Sequence, residues 1–341
     1  MNDLVRDLLE GSPRALARLL TRIENENAEA AAALAALYPH TGRAHRIGVT
    51  GAPGTGKSTL VNSMAKAYRA EGRTVGIIAV DPTSPFSGGA VLGDRIRMRD
   101  LAGDPGVFIR SMATRGSLGG LARATGDAVR ALDAAGFDVI LIETVGAGQS
   151  EVDIAREAHT TIVVEAPGLG DEIQAIKAGI LEIADILVVN KADRPGAKNT
   201  VRALKAMLDL GGGHPPHIAH HGRLLTDSTA PPETDQQENG WQIPIIQTIA
   251  IEDSGIAELL AAVDAHRTHL QETGQWQQRE QWRLESELLD RLQTTLLKRL
   301  LKQTDPSVLR AIMEQLTTRQ IDPHTAVERL LDGHPDTDDD V

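Results

Sequence analysis

"RIGVTGAPGTGKSTL", residues 46–60, decides how the rest of the chain is read. A β-branched apolar run ends at Thr50, a Gly-rich turn follows, and beyond Lys57 apolar residues recur at helical spacing as Leu60, Met64 and Tyr68. The turn fits G-x-x-x-x-G-K-S as Gly51 to Ser58, in the strand-turn-helix context that gives this pattern its meaning. Glycines let backbone N–H groups turn inward around an α- and β-phosphate, and the following helix presents its positive N-terminal end to the same charge. Lys57 is placed to reach the β- and γ-phosphates and the Ser58 hydroxyl to bind Mg2+, with Gly51, Gly54, Thr55, Gly56 and Thr59 completing the cradle. An ordinary Gly-rich turn is the alternative, and the flanking strand and helix argue against it.

Outward from this turn, short apolar runs alternate with helical patterns over about 45–265: "RIGVT", "VGIIAV", "VFI", "DVILIE", "TIVVE", "DILVVN" and "IPIIQ". Continuous apolar strands between helices imply an α/β fold, a mostly parallel, doubly wound sheet covered on both faces. Residues 1–40 read as a helical N-terminal extension and 41–265 as the nucleotide-binding domain. Residues 266–341 read as a helical C-terminal arm with an acidic tail. In the arm Leu284, Leu288, Leu292 and Leu296, widened by Leu289, Leu297, Leu300 and Leu301, form an apolar stripe that must be buried against the core or a second copy. Dimerisation is the preferred use. Residues 211–240, dense in Gly, Pro and polar residues, read as a long loop.

The composition narrows the function. Among 341 residues, 35 basic against 47 acidic side chains give a net charge of -12, which argues against a general nucleic-acid or anionic-membrane binder. The absence of cysteine excludes disulfides, thiolate metal sites, iron-sulfur clusters and cysteine nucleophiles. The N-terminus scatters its charges and does not read as a signal peptide, and no apolar run approaches the roughly 20 residues of a membrane-spanning helix. A soluble cytoplasmic protein is expected.

"NKAD", Asn190 to Asp193, follows the strand "DILVV". A carboxylate there can accept from guanine N1 and the exocyclic N2, whereas adenine offers no such pair of donors. Its place at a strand's C-terminal end, where open α/β sheets bind ligands, favours a base site over a solvated loop. Asp81 ends "VGIIAV" and Glu143 ends "DVILIE", so each can bind Mg2+ directly or through water or orient the attacking water, or instead cap the next turn. With Ser58 and Asp94 they make a metal shell. Where signalling GTPases carry Asp-x-x-Gly-Gln, this chain has Glu143, Gly146 and then Ala147, so the water-orienting glutamine is missing. Turnover is therefore expected to be slow without a partner or a second loop. Arg95, Arg97, Arg99, Arg110 and Arg115 are available for transition-state charge, though salt-bridge duty is the ordinary reading of each. His214, His217, His220 and His221 have spacings that could hold a transition metal, against the simpler reading of a solvated loop.

The segments "GAPGTGKSTL", "AVDPTSPFSGGAVLGDRIRM", "FIRSMATRGSLGGLARAT", "FDVILIETVGAGQSE" and "PGLGDEIQAIKAGILEIADILVVNKAD" resemble the MeaB/ArgK family, the methylmalonyl-CoA mutase-associated GTPases of the SIMIBI class. The resemblance covers most of residues 40–265 and implies a P-loop GTPase with GTP or GDP and Mg2+ as ligands, forming a homodimer. It places Mg2+ and switch carboxylates on Asp81, Asp94 and Glu143, guanine specificity on Asn190, Lys191 and Asp193, and partner-dependent catalysis on Asp171 and Lys177. Where the family reads Ser-Ala near the last strand, Ile249 and Ala250 stand here, leaving backbone contact from Ala250 to the guanine oxygen. The loop at 211–240 also looks longer than usual for the family. The function implied is a chaperone that gates adenosylcobalamin loading and protects or reactivates a cobalamin-dependent acyl-CoA mutase. Three alternatives stand beside it: a nickel or cobalt metallochaperone, a kinase of a transport protein, and a purely structural scaffold stabilised by nucleotide.

Overall fold

The seven apolar runs quoted above each become a strand: β1 (His45–Thr50), β2 (Val75–Asp81), β3 (Val107–Ala113), β4 (Val139–Thr144), β5 (Thr160–Glu165), β6 (Ile186–Asn190) and β7 (Ile245–Thr248). They form one seven-stranded sheet of order β3-β2-β4-β1-β5-β6-β7, each neighbouring pair parallel. The α/β, doubly wound sheet expected from the sequence is thus the fold. The computed structural model describes residues 3–25, 27–81, 99–101, 103–113, 120–144, 155–168, 183–210 and 240–332. Asp94, Gly146, Asp171, Lys177, Arg95, Arg97, Arg115 and the histidines His214, His217, His220 and His221 lie outside them.

Helices cover both faces because successive strand residues point to opposite sides. The helix α1 spans Asp3–Leu9, α2 Pro13–Glu24 and α3 Ala28–Leu37. Then come α4 (Lys57–Ala70), α5 (Gly120–Ala134), α6 (Ala197–Leu210) and α7 (Ile256–Glu272). On one face Ile47, Val49, Leu141, Ile162 and Val188 meet Leu60, Met64 and Tyr68 of α4 and Leu259 and Val263 of α7, all buried. On the other, Ile78, Ile140 and Ile142 meet Leu132 of α5 and Leu16, Leu19 and Leu20 of α2, so the N-terminal helices share the sheet's own core. Their starts are locally encoded: Ser12 caps α2 ahead of Pro13, and Asn27 Oδ1 accepts the Glu29 N–H of α3 at 2.9 Å. Arg110, a candidate for transition-state charge, pairs with Glu24 at the end of α2.

The N-terminal edge of the sheet, opposite the Gly-rich turn, carries a buried polar cluster. Thr160 Oγ1 lies 2.9 Å from His45 Nε2 and 2.9 Å from His266 Nδ1, the latter on α7. Asp185 accepts the Thr161 N–H at 2.8 Å and a bidentate contact from Arg279, and His266 Nε2 lies 3.3 Å away. Burial alone would push the Asp185 carboxyl up, but Arg279 and His266 outweigh it and hold the group well below the usual carboxylate range. Arg279 belongs to the start of α8 (Gln275–Gln303), where Trp276 also stacks on His159 with ring centroids 3.7 Å apart.

Two compact units divide the chain, Met1–Gln281 and Trp282–Val341. The second holds the remainder of α8 together with α9 (Pro306–Thr317) and α10 (Pro323–Asp332), whose first turns are capped by Asp305 and Asp322. Its leucine stripe is largely exposed: Leu288 is 57% and Leu296 54% accessible. Among the described residues no helix is long and apolar enough to cross a membrane.

Candidate nucleotide-binding site

The site is assembled at the C-terminal ends of β1, β4, β6 and β7. β1 delivers the chain into the turn 51–56, and α4 begins at Lys57 with no side-chain cap, so its first N–H groups face the turn. Two glycines are required by close approach. Gly51 has φ 139, and a Cβ there would lie 2.1 Å from the Val164 carbonyl oxygen of β5. Gly56 has φ 94, and a Cβ would lie 2.4 Å from Asn190 Nδ2. Lys57 is buried and its Nζ donates to the carbonyls of Gly51 at 2.7 Å and Ala52 at 3.0 Å, curled over the loop it serves. Thr55 Oγ1 donates to Ala52 O at 2.9 Å and stiffens the same turn.

Ser58 Oγ and Glu143 Oε1 are 2.5 Å apart, both residues buried. Strand register explains the meeting: Val49 pairs with Glu143, so the carboxylate sits beside the exit of β1, on the face that α4 covers. On the reverse face Thr144 Oγ1 donates to Thr50 Oγ1 at 3.1 Å, fixing the end of β4 to the start of the turn. Asp81 ends β2, which lies beside β4 in the sheet. Ser58 and Glu143 supply only hard oxygen donors, a set that fits Mg2+.

The "NKAD" segment follows β6. Asn190, expected at the base, engages the protein at both ends of its amide. Its Nδ2 donates to Thr55 O at 2.9 Å, and its Oδ1 accepts from Thr248 Oγ1 and from the Ala250 N–H, each at 3.1 Å. Asn190 is therefore a strut between the phosphate loop and the turn after β7. Ala250, expected to offer its N–H to the guanine oxygen, spends it on Asn190. Lys191 adopts φ 57, unusual for a non-glycine residue, and its Nζ donates to Gly54 O at 2.5 Å, laying its stem across the loop. Asp193 is exposed in the turn that follows.

Sequence reasoning missed Thr50, Thr144, Thr248 and Ser63, whose Oγ donates to Ala250 O at 2.7 Å. Polar residues inside otherwise apolar strand and helix stripes were the available signal.

The family model described as methylmalonyl Co-A mutase-associated GTPase MeaB matches residues 16–305. The chain belongs to the MeaB family. A relative in Pyrococcus abyssi, named as a GTPase, is 44% identical over 332 residues, covering 97% of this chain and 96% of its own. The GTPase ArgK of Escherichia coli is 35% identical, covering 80% of this chain and 78% of its own. The solved structure described as a LAO/AO transport system kinase is 26% identical with a TM-score of 0.68, covering 97% of this chain and 96% of that one. The resemblance drawn from the motifs is thus borne out: this is a P-loop GTPase of the MeaB family.

Proposed function

We propose that the chain is a GTP-hydrolysing chaperone for a cobalamin-dependent acyl-CoA mutase, gating the loading of adenosylcobalamin and protecting or reactivating the enzyme. The carrying observation is the match to a family described by its association with methylmalonyl-CoA mutase, which runs through the phosphate loop, Glu143 and "NKAD". In this reading the loop amides and Lys57 hold the triphosphate, Ser58 and Glu143 hold Mg2+ together with Asp81 and Asp94, and Asp193 accepts from the guanine edge. When bound, Mg2+ neutralises charge on the phosphate oxygens. Asp171 and Lys177 complete the site when the mutase docks. Because Ala147 stands where a water-orienting glutamine would be, hydrolysis by the free protein is slow, and nucleotide state alters the surface offered to the partner. The leucine stripe of α8 joins two copies.

The test is steady-state GTP turnover, with ATP as control, alone and with methylmalonyl-CoA mutase titrated in. Slow hydrolysis that rises saturably with mutase, and loses that rise in Lys177→Ala, supports the reading. Preference for ATP, or indifference to the mutase, overturns it.

A further inference from the structure

Three hydrogen bonds and one short stretch of chain close a ring through the nucleotide site. Ser63 Oγ on α4 donates to Ala250 O, the Ala250 N–H donates to Asn190 Oδ1, and Asn190 Nδ2 donates to Thr55 O. Thr55 leads through Gly56 into Lys57, the first residue of α4, and so back to Ser63. One rigid helix therefore begins at the phosphate loop and, less than two turns later, grips the turn that follows β7.

Ser63 is an unusual choice for that place. A serine inside a helix is less favourable than alanine by about 0.5 kcal/mol, and its hydroxyl ordinarily bonds a carbonyl of the preceding turn. Here the residue is buried and its hydroxyl reaches a carbonyl 187 positions away in sequence. The turn it holds contains Ile249, whose side chain has no polar atom with which to fix it. Beyond the turn's own backbone hydrogen bonds among Ile249, Glu252 and Ser254, side chains hold Ala250 from both sides, Ser63 at its carbonyl and Asn190 at its N–H.

We infer that Ser63 is a positioning residue for guanine recognition: acting through the Ala250 peptide, it sets the turn after β7 against the phosphate loop and sharpens the preference for guanine over adenine nucleotides. The inference rests on reading Asn190–Asp193 and the Ala250 turn as the base end of the site. In this role Ser63 acts through the Ala250 turn and not by contact with the nucleotide. Without its hydroxyl, the Ala250 carbonyl loses that donor and the turn relaxes toward other partners.

The experiment compares the affinities of the full-length protein for GDP and ADP, by fluorescence of labelled nucleotides, in wild type, Ser63→Ala, Ser63→Thr and Asp193→Asn. In Ser63→Ala, GDP affinity falls about tenfold while ADP affinity changes little, so the GDP:ADP ratio falls with it. Ser63→Thr, which keeps the hydroxyl, restores the ratio, and the loss in Ser63→Ala turnover falls on KM for GTP rather than on kcat. An unchanged GDP:ADP ratio in Ser63→Ala, whether both affinities hold or both fall together, overturns the inference and leaves Ser63 a packing residue. Should Ser63→Ala fail to fold, Ser63→Cys, similar in shape and a weaker donor, carries the same comparison. Asp193→Asn separates the two levels. If it keeps the guanine preference, the base-site reading falls and the role of Ser63 with it. If it loses the preference while Ser63→Ala keeps it, only the role of Ser63 falls.

Discussion

Gly56 and Ser58 bear on different halves of the chemistry, and each can be tested by removing or adding very few atoms. A methyl group at residue 56 meets Asn190 Nδ2 at 2.4 Å and must also adopt φ 94, a conformation that only glycine takes without strain. Gly56→Ala is therefore expected to displace the Asn190 strut and weaken GDP binding at least about tenfold, with a stability loss of about 1–3 kcal/mol. Nucleotide titration and urea denaturation of the same sample check both numbers. Ser58→Ala removes the hydroxyl that faces Glu143 across 2.5 Å and leaves the loop backbone intact. Its expected signature is narrower: GDP still binds, but the tightening of that binding by Mg2+ is largely lost. An undiminished Mg2+ effect in this variant would remove Ser58 from the metal shell.

Strands β1 and β6 end at the nucleotide site and, with β5 between them, begin at the buried cluster of His45, Thr160 and Asp185, so these elements are anchored at their far ends by polar contacts. Arg279→Ala would leave the Asp185 carboxylate buried without its bidentate partner, and an expected loss of about 3 kcal/mol follows from breaking such a pair. The pH dependence has a definite sign. Burial, reinforced by the nearby charges of Arg267, His266, Arg73 and Arg46, holds the His45 pKa well below its usual range. The unfolded chain therefore takes up a proton below about pH 6.5 that the folded chain refuses, and stability falls as pH drops from 7 to 5. Asp185, also depressed, adds a separate loss only below about pH 4, where the unfolded chain's carboxylate takes up a proton that the folded one does not. Urea midpoints between pH 5 and 8 should show a shallower slope in His45→Gln than in wild type. Little of this cluster was legible in the sequence, because His45, His159 and His266 are scattered over more than 200 residues and only the fold brings them together. The strands themselves were legible as uninterrupted β-branched runs, since both faces of a parallel sheet are buried. The phosphate loop was legible because its residues are consecutive. Asn190 was found but its contacts were not: a motif names the residue types at a strand's end, whereas whether an amide meets a base or the loop next to it depends on the register of β1, β6 and β7.

At the scale of the molecule, the second compact unit carries an exposed leucine stripe. Leu284, Leu288, Leu292 and Leu296 follow one another at intervals of four along α8, and each is between 37% and 57% accessible, with Leu297 and Leu301 exposed beside them. Exposed leucines arranged singly would need no explanation, but a continuous stripe of this kind marks an interaction surface. A second copy of the same stripe is a self-complementary partner, as a twofold interface demands. Sedimentation should therefore give a dimer for the wild type, while Leu288→Glu and Leu292→Glu together, placing two carboxylates in the middle of the stripe, should give a monomer. These positions lie in a different compact unit from the phosphate loop, so hydrolysis of GTP by the free monomer should proceed at the wild-type rate. The mutase titration then separates two uses of the stripe. If stimulation of GTP turnover survives in the monomeric variant, the leucines serve assembly of the GTPase alone, and the mutase is met by the unit that binds the nucleotide. If the wild type already sediments as a monomer, the stripe is the mutase-facing surface, and the same two substitutions should abolish stimulation without altering the basal rate.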